Sequence, residues 1–174
     1  MKKYIPVILL IILGISCRFL PHPANFAPIG AIAIFGALYL PKKWAYTLPL
    51  AAMLISDLFI GFYSPFIMIT VYAAFLLTVL IGFKIKESKK FGNILAGTLT
   101  GSIIFFLTTN AAVWAFGTMY TKNLSGLISS YYMALPFFRN STLGDLFYVG
   151  ILVGGMELII LLQTKKVFCT AGVR

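Results

Sequence analysis

The stretch FAPIGAIAIFGALYLPKK, residues 26–43, contains the pattern that decides the fold of this chain. An uncharged apolar run is closed by a proline, and two lysines follow it directly. Apolar runs bounded by short basic segments are typical of membrane-spanning helices. The same pattern recurs along the chain and predicts six spans, which are residues 4–20, 26–40, 44–62, 65–83, 93–116 and 142–163.

The distribution of basic residues predicts the orientation of these spans. Of the fourteen Lys and Arg residues, all but three fall into clusters at residues 2–3, 42–43, 84–90 and 165–174. The exceptions, Arg18, Lys122 and Arg139, lie in the alternate connections. Basic residues in short loops are retained on the cytoplasmic side. We therefore expect an all-α polytopic protein of the bacterial inner membrane, one domain over residues 1–174, with six transmembrane helices and both termini cytoplasmic.

Composition agrees with a protein whose main partner is the lipid bilayer. The 174 residues are 60% hydrophobic and 10% charged, which is too apolar for one soluble core. The net charge of +10 lies at span ends, without a continuous basic face or a nucleic-acid-binding module, so no nucleic acid partner is expected. The two cysteines, Cys17 and Cys169, belong to opposite sides of the bilayer, and neither has the spacing of a metal site.

The N-terminus has an alternative interpretation. Lys2 and Lys3, an apolar run and then Gly14 to Cys17 resemble a secretory signal that ends at a lipidated cysteine. Such sites usually have a larger aliphatic residue where Gly14 stands, and cleavage would leave five spans. An uncleaved first helix is the favoured interpretation.

Two further segments carry structural expectations. In the second span, Ala33 and Ala37 are four residues apart, a spacing that lets another helix approach closely, either within this bundle or from a separate subunit. The segment from Leu124 to Phe138 mixes apolar, Ser and Tyr residues, and we expect a short helix that lies along the interface or caps the bundle.

Nearly all strongly polar side chains outside the basic clusters are predicted to collect at the outer end of the bundle. The candidate substrate-binding residues are Arg18, His22, Asn25, Asp57, Asn110, Trp114, Arg139, Asn140 and Asp145. An ionisable side chain in hydrocarbon costs at least ~2.5 kcal/mol, so it must be paired or hydrated. For Asp57 a partner such as Arg18 or Arg139 would neutralise the charge. Both a structural latch and a ligand site remain open for it.

The other candidates have individual expectations. Arg139 and Asn140 fall at a predicted loop-to-helix junction, where backbone amides and a guanidinium suit an anionic or amide-bearing group. Asp145 would then stand in the first turn of span six, as a favourable dipole charge. Asn110 and Trp114 share a helix face and suit a planar ligand, although Trp at this depth is also an ordinary interfacial anchor.

The remaining polar residues carry weaker expectations. His22 lies between two prolines and is expected to be a hydrogen-bonding or interface residue rather than a metal ligand. Glu157 falls in the cytoplasmic half of span six, where it can reach inward or pair with a lysine.

Signatures of catalysis are missing from the sequence. We find no nucleophile elbow, no paired metal-binding histidines and no glycine-rich phosphate loop, so we expect no enzyme, no catalytic residue, no cofactor and no metal. Three functions compete. The preferred one is a substrate-binding subunit or small transporter for a compact nutrient, the second is a structural or assembly protein with an ion-paired latch, and the third is a membrane enzyme using His22 or Cys17.

Four segments carry a family resemblance: RFLPHPANFAPIGA (18–31), AMLISDLFIGF (52–62), TNAAVW (109–114) and PFFRNSTLGD (136–145). They resemble a bacterial family of small six-helix membrane proteins without an assigned function. More distantly, the layout is similar to the S components of energy-coupling-factor transporters. That resemblance implies capture of a vitamin or related micronutrient at the outer face, followed by transport through a coupling transmembrane subunit with ATPases.

One departure from the S components concerns the docking site for that partner. S components commonly carry an Ala-x-x-x-Ala pair in the first helix, whereas the first span here offers Gly14 and Ser16 among bulky aliphatic residues. Either docking differs or the protein acts alone.

Overall fold

The computed structural model describes residues 5–171, with side chains through Thr164. Within that range the chain is all α-helical. The helices are α1 (Ile5–Phe19), α2 (Ile29–Tyr39), α3 (Lys42–Ile60), α4 (Pro65–Lys86), α5 (Phe91–Phe116) and α6 (Leu124–Ala171). The expectation of six helices is confirmed. Predictions for the basic clusters at residues 2–3 and 165–174, and for Cys169, lie outside the described side chains.

Four of the described helices are long and apolar enough to cross a membrane, namely α3, α4, α5 and the part of α6 from Leu124 to Thr164. The other two are shorter. The described part of α1, with 15 residues, extends about 22 Å, and α2, with 11 residues, extends about 16 Å. A bilayer hydrocarbon core is about 30 Å thick, so α2 does not match it by length.

Helix α2 lies at the centre of the bundle. Its residues from Ile29 to Leu38 are all buried, and it contacts each of the other five helices. A helix that is apolar on every side has no polar face to expose to water, so it is stable in this buried position. Ala33 and Ala37 pack against Ala45 of α3 and Val79 of α4. The small residues of the second span therefore serve packing inside this bundle.

Helix α6 differs from the prediction. It continues without interruption from Leu124 to Ala171, through Pro136. The expectation of a separate helix over residues 124–138 is wrong, because the helix that contains the predicted last span already begins at Leu124. Membrane helices tolerate an internal proline because neighbouring helices and side chains can satisfy the freed backbone groups. With 48 residues the helix is about 72 Å long if straight, so it exceeds the thickness of a bilayer core.

The first turns of α6 pack along α5. The Tyr131 hydroxyl donates to the Leu107 carbonyl at 2.9 Å, and the Ser130 hydroxyl lies 3.4 Å from the Asn110 carbonyl. This segment is thus held against the bundle, near the end where α5 finishes.

The two described basic clusters meet at one end of the bundle. The Lys89 ammonium lies 4.3 Å from the centroid of the Tyr39 ring, which brings the α4–α5 connection to the end of α2, next to Lys42. The Tyr39 hydroxyl donates to Glu157 of α6 at the same end. At the opposite end, the Asn140 amide donates to the Ala24 carbonyl at 3.1 Å. Polar residues from α1, α3, α5 and α6 lie toward that second end.

Candidate functional site

A buried ion pair joins α1 to α3. Arg18, in the last turn of α1, places Nη1 2.7 Å from Oδ1 of Asp57. The same nitrogen donates to the Ser56 hydroxyl at 2.6 Å and approaches the Met53 carbonyl at 3.4 Å. The Asp57 side chain is 1% exposed and that of Arg18 is 19% exposed. Of the two partners expected for Asp57, the structure selects Arg18.

Helix α4 completes this cluster. The Tyr72 hydroxyl donates to Oδ2 of Asp57 at 2.8 Å, whereas Oδ1 makes no hydrogen bond and is held by the ion pair. Tyr63 lies in the connection between α3 and α4, close enough for the charges of Asp57 and Arg18 to act on its hydroxyl group. Burial, and then the negative charge of Asp57, raises the pKa of Tyr63 to about 12. Asp57 lines neither of the cavities described below, so its contacts are those of a latch between α1, α3 and α4.

A second carboxylate, Asp145, occupies a different position from the predicted one. It lies well inside α6 rather than in a first turn, so it does not cap its own helix. Its Oδ2 accepts a hydrogen bond from the Ser102 hydroxyl of α5 at 2.7 Å. The Ala31 amide, in the first turn of α2, also hydrogen-bonds this carboxylate. The first amides of a helix lack intrahelical partners, and the Asp145 carboxyl group accepts from one of them at the start of α2.

Gly30 makes this approach possible. A Cβ atom built on Gly30 would lie 2.8 Å from Cγ of Asp145 and would also overlap its carboxylate oxygens. Carbon atoms that are not bonded favour separations of about 3.5–4.0 Å. A side chain at position 30 would therefore displace the carboxylate from the start of α2.

A cavity with a volume of ≈ 270 Å³ lies beside this carboxylate. Three of the predicted site residues, Arg18, Asn25 and Asp145, line it. Asn25 belongs to the α1–α2 connection and has a φ of 65°, a left-handed conformation that asparagine tolerates better than most residues. The remaining walls are mostly apolar and include Phe75 of α4 and Phe105 of α5.

A second cavity of ≈ 220 Å³ adjoins the first. The two have several wall residues in common, which are Asn25, Val71, Phe105 and Ser141. Asn110 lines the second cavity, although its amide nitrogen already donates to the Phe106 carbonyl of its own helix at 2.8 Å. Together the cavities run from the Asp145 carboxylate towards the first turns of α6.

Arg139 and Asn140 do not form the expected anion site. Both lie inside α6, so their backbone amides are not free helix-terminal donors. Arg139 is exposed and lines neither cavity. The Asn140 side chain instead fastens α6 to the α1–α2 connection through the Ala24 carbonyl. Both were expected at a junction between a loop and a helix, whereas α6 is continuous here.

The remaining candidates lie apart from the cavities. His22 is exposed in the α1–α2 connection, while Cys17 is buried with its sulfur 3.6 Å from the Tyr148 hydroxyl. The Trp114 indole donates to the Thr121 carbonyl at 3.0 Å, and Lys122 donates to the Trp114 carbonyl, so the last turn of α5 is fastened to the connection that follows it. Among the residues with described side chains, no three His, Cys, Asp or Glu residues come together.

Several residues of the site were missed by sequence reasoning. Tyr72, Phe75, Ser102, Phe105 and Ser141 all contact a carboxylate or a cavity. Helices α4 and α5 carry apolar residues all round, so periodicity does not reveal their inner face. The one available signal was Ser102, a hydroxyl beside Gly101 in a Gly- and Thr-rich helix.

Comparison with known proteins gives a family but no characterised relative. No curated protein and no solved structure matches the chain. A family model described as a family of unknown function, DUF6580, matches residues 1–168. That match covers nearly the whole sequence, and the chain therefore belongs to the family DUF6580.

Proposed function

We propose that this protein is a membrane-embedded substrate-binding subunit or small transporter that captures a small nutrient, of the vitamin or cofactor-precursor type. The observation that carries the proposal is the pair of adjoining cavities of ≈ 270 and ≈ 220 Å³ at one end of the bundle. Ligand sites are typically concave, mostly apolar and equipped with a few convergent polar groups. The walls here combine apolar side chains with Arg18, Asn25, Asn110 and Asp145.

The proposed orientation places the mouth of the site outside the cell. Lys42 and the lysines from Lys84 to Lys90 lie at the end of the bundle opposite the cavities. Basic connections are retained in the cytoplasm. A six-span arrangement in the inner membrane, with both termini cytoplasmic, would open the cavities to the periplasmic or extracellular side.

Transport through the membrane would depend on a partner or on an ion gradient. The sequence has no phosphate-binding loop of its own. The resemblance to S components of energy-coupling-factor transporters suggests a coupling subunit with ATPases, and this part of the proposal rests on the sequence resemblance alone.

A second candidate function is structural. The Arg18–Asp57 pair, with Tyr72 and Ser56, uses its polar groups to fasten three helices, which supports a structural or assembly protein with an ion-paired latch. The cavities favour the first candidate, because a latch needs no adjoining empty volume.

The test is mass spectrometry of small molecules retained by the detergent-purified protein. We expect a retained molecule in the wild type and its loss in Val71→Trp, because Val71 lines both cavities and the larger ring fills them. Ile69→Trp is the matched control, since Ile69 on the same helix is exposed and lines neither cavity. Equal retention by both variants, or no retention by the folded wild type, would contradict the proposal.

A further inference from the structure

The charges beside the larger cavity do not balance. Arg18 and Asp57 neutralise each other, so together they contribute no net charge. Asp145 is a second carboxylate which, unlike Asp57, lines the cavity, and no Lys or Arg side chain described by the structure lies within ion-pair distance of it. An isolated carboxylate in a low-dielectric site is costly unless a counter-charge or hydrogen bonds compensate it.

The groups that do contact Asp145 are all neutral donors. The Ser102 hydroxyl and the Ala31 amide both donate to the carboxylate, and the N-terminus of α2 adds a partial positive charge. Burial disfavours the charged form of a carboxylate, and hydrogen bonds of this kind oppose that effect. They fix its position on the cavity wall without supplying the missing unit of positive charge.

The walls facing this carboxylate are aromatic. The rings of Phe75 and Phe105 both line the cavity and pack with centroids 5.0 Å apart at an interplanar angle of 36°. Aromatic faces attract cations as well as apolar groups. Val71 and Ala27 extend the apolar surface. A volume of ≈ 270 Å³ lies just below the usual range for drug-sized ligands, so the occupant must be compact.

From this combination we propose that the larger cavity binds a small organic cation, with its ammonium group against Asp145 and its apolar body against Phe75 and Phe105. This inference deepens the proposed function and rests on it. The ammonium group would donate to the carboxylate lone pairs left free by Ser102 and Ala31. Its charge would complete the neutralisation that the described side chains leave unfinished.

The experiment compares three probes of similar size and different charge on the full-length protein in nanodiscs: phenethylamine, phenethyl alcohol and phenylacetate. Binding is measured by isothermal titration calorimetry and by the shift in Tm. The amine should bind at least about tenfold more tightly than the alcohol, because hydrogen bonds to a charged group are stronger than neutral ones. Phenylacetate should bind most weakly, since its charge repels Asp145.

Variants test whether the preference for the amine over the alcohol arises in this cavity. Asp145→Asn keeps the shape and the acceptor oxygen but removes the charge, so the amine should lose its advantage over the alcohol. Glu87→Gln removes the same charge from an exposed side chain at the lysine-rich end and should leave the preference intact. If Asp145→Asn fails to fold, Val71→Trp takes its place and should abolish binding of the amine, while Ile69→Trp retains it.

Each outcome of these binding measurements supports or overturns the proposed cation site. Equal or tighter binding of the alcohol or the acid overturns the charge class but leaves a binding function standing. An amine preference that survives Asp145→Asn or Val71→Trp overturns the assigned site. No binding of any probe also overturns the inference, whereas the proposed function is then decided separately by the molecules retained during purification.

Discussion

Replacing Gly30 with alanine pushes a methyl group into the carboxylate of Asp145. The new Cβ would lie 2.8 Å from Cγ of Asp145, so the two atoms must separate by about 0.7 Å or more to reach a favourable distance. The carboxylate is fixed by the Ser102 hydroxyl at 2.7 Å and by the Ala31 amide, and both bonds weaken when it moves. Neither α2 nor α6 can shift freely, because α2 is enclosed by all the other helices.

We expect Gly30→Ala to lower the free energy of unfolding by about 1–3 kcal/mol, the usual cost of an extra carbon in a tightly packed site. The matched control is Gly154→Ala in α6, where a Cβ would meet no atom within 4 Å. Alanine is a better helix former than glycine by up to about 1 kcal/mol, so this control should be neutral or stabilising. Unfolding in mixed detergent micelles measures both values.

A double-mutant cycle isolates the overlap. Asp145→Ala alone removes the hydrogen bonds at the start of α2, but in the double variant it also removes the atoms that the Gly30→Ala methyl group strikes. The double variant should therefore be more stable than the sum of the single effects predicts, by about 1–2 kcal/mol. Additive effects within about 0.5 kcal/mol, or a Gly30→Ala variant as stable as the Gly154→Ala control, would refute the contact.

Four other substitutions test the polar contacts through the free energy of unfolding. Arg18→Met should cost about 3–5 kcal/mol, because it leaves the 1% exposed Asp57 carboxylate without its cation. Asp57→Asn should cost less, because the asparagine still accepts a hydrogen bond from Tyr72. Equal costs for the two variants would contradict the latch geometry. Tyr72→Phe removes a donor to a buried charge and should cost about 1.5–3 kcal/mol, and an unchanged stability would show that the bond is absent. Tyr39→Phe, at the lysine-rich end, should cost only about 1 kcal/mol, because the partly exposed Glu157 can find other donors. A cost as large as that of Tyr72→Phe would contradict this difference between Glu157 and the buried Asp57.

The sequence predicted the helices well where chemistry marks their ends. Pro41 separates α2 from α3, and Pro65 begins α4. The sequence also showed that Arg18 and the lysine clusters lie at opposite ends of the bundle, because uncharged apolar spans separate them. The break expected between residues 138 and 142 is absent, and α6 also continues through Pro136, which a long apolar helix can contain.

The site was predictable only in part. Arg18, Asn25 and Asp145 do share one cavity, because polar residues in apolar helices turn towards the interior. The role of Asp145 was hidden because it acts on the start of a different helix, a long-range relation that no local pattern records. The position of Arg139 was not predicted, because its neighbours in sequence suggested a helix terminus that the fold does not form.

The length of α2 bears on how the protein is made. An 11-residue helix cannot cross a bilayer by itself, and its two ends would present unpaired backbone groups to lipid. We expect it to enter the membrane together with α3 and to reach its final position late, after α4, α5 and α6 have formed walls around it. Ribosome-stalled chains that lack α6 should then leave α2 accessible to water-soluble cysteine reagents, whereas the finished chain should protect it.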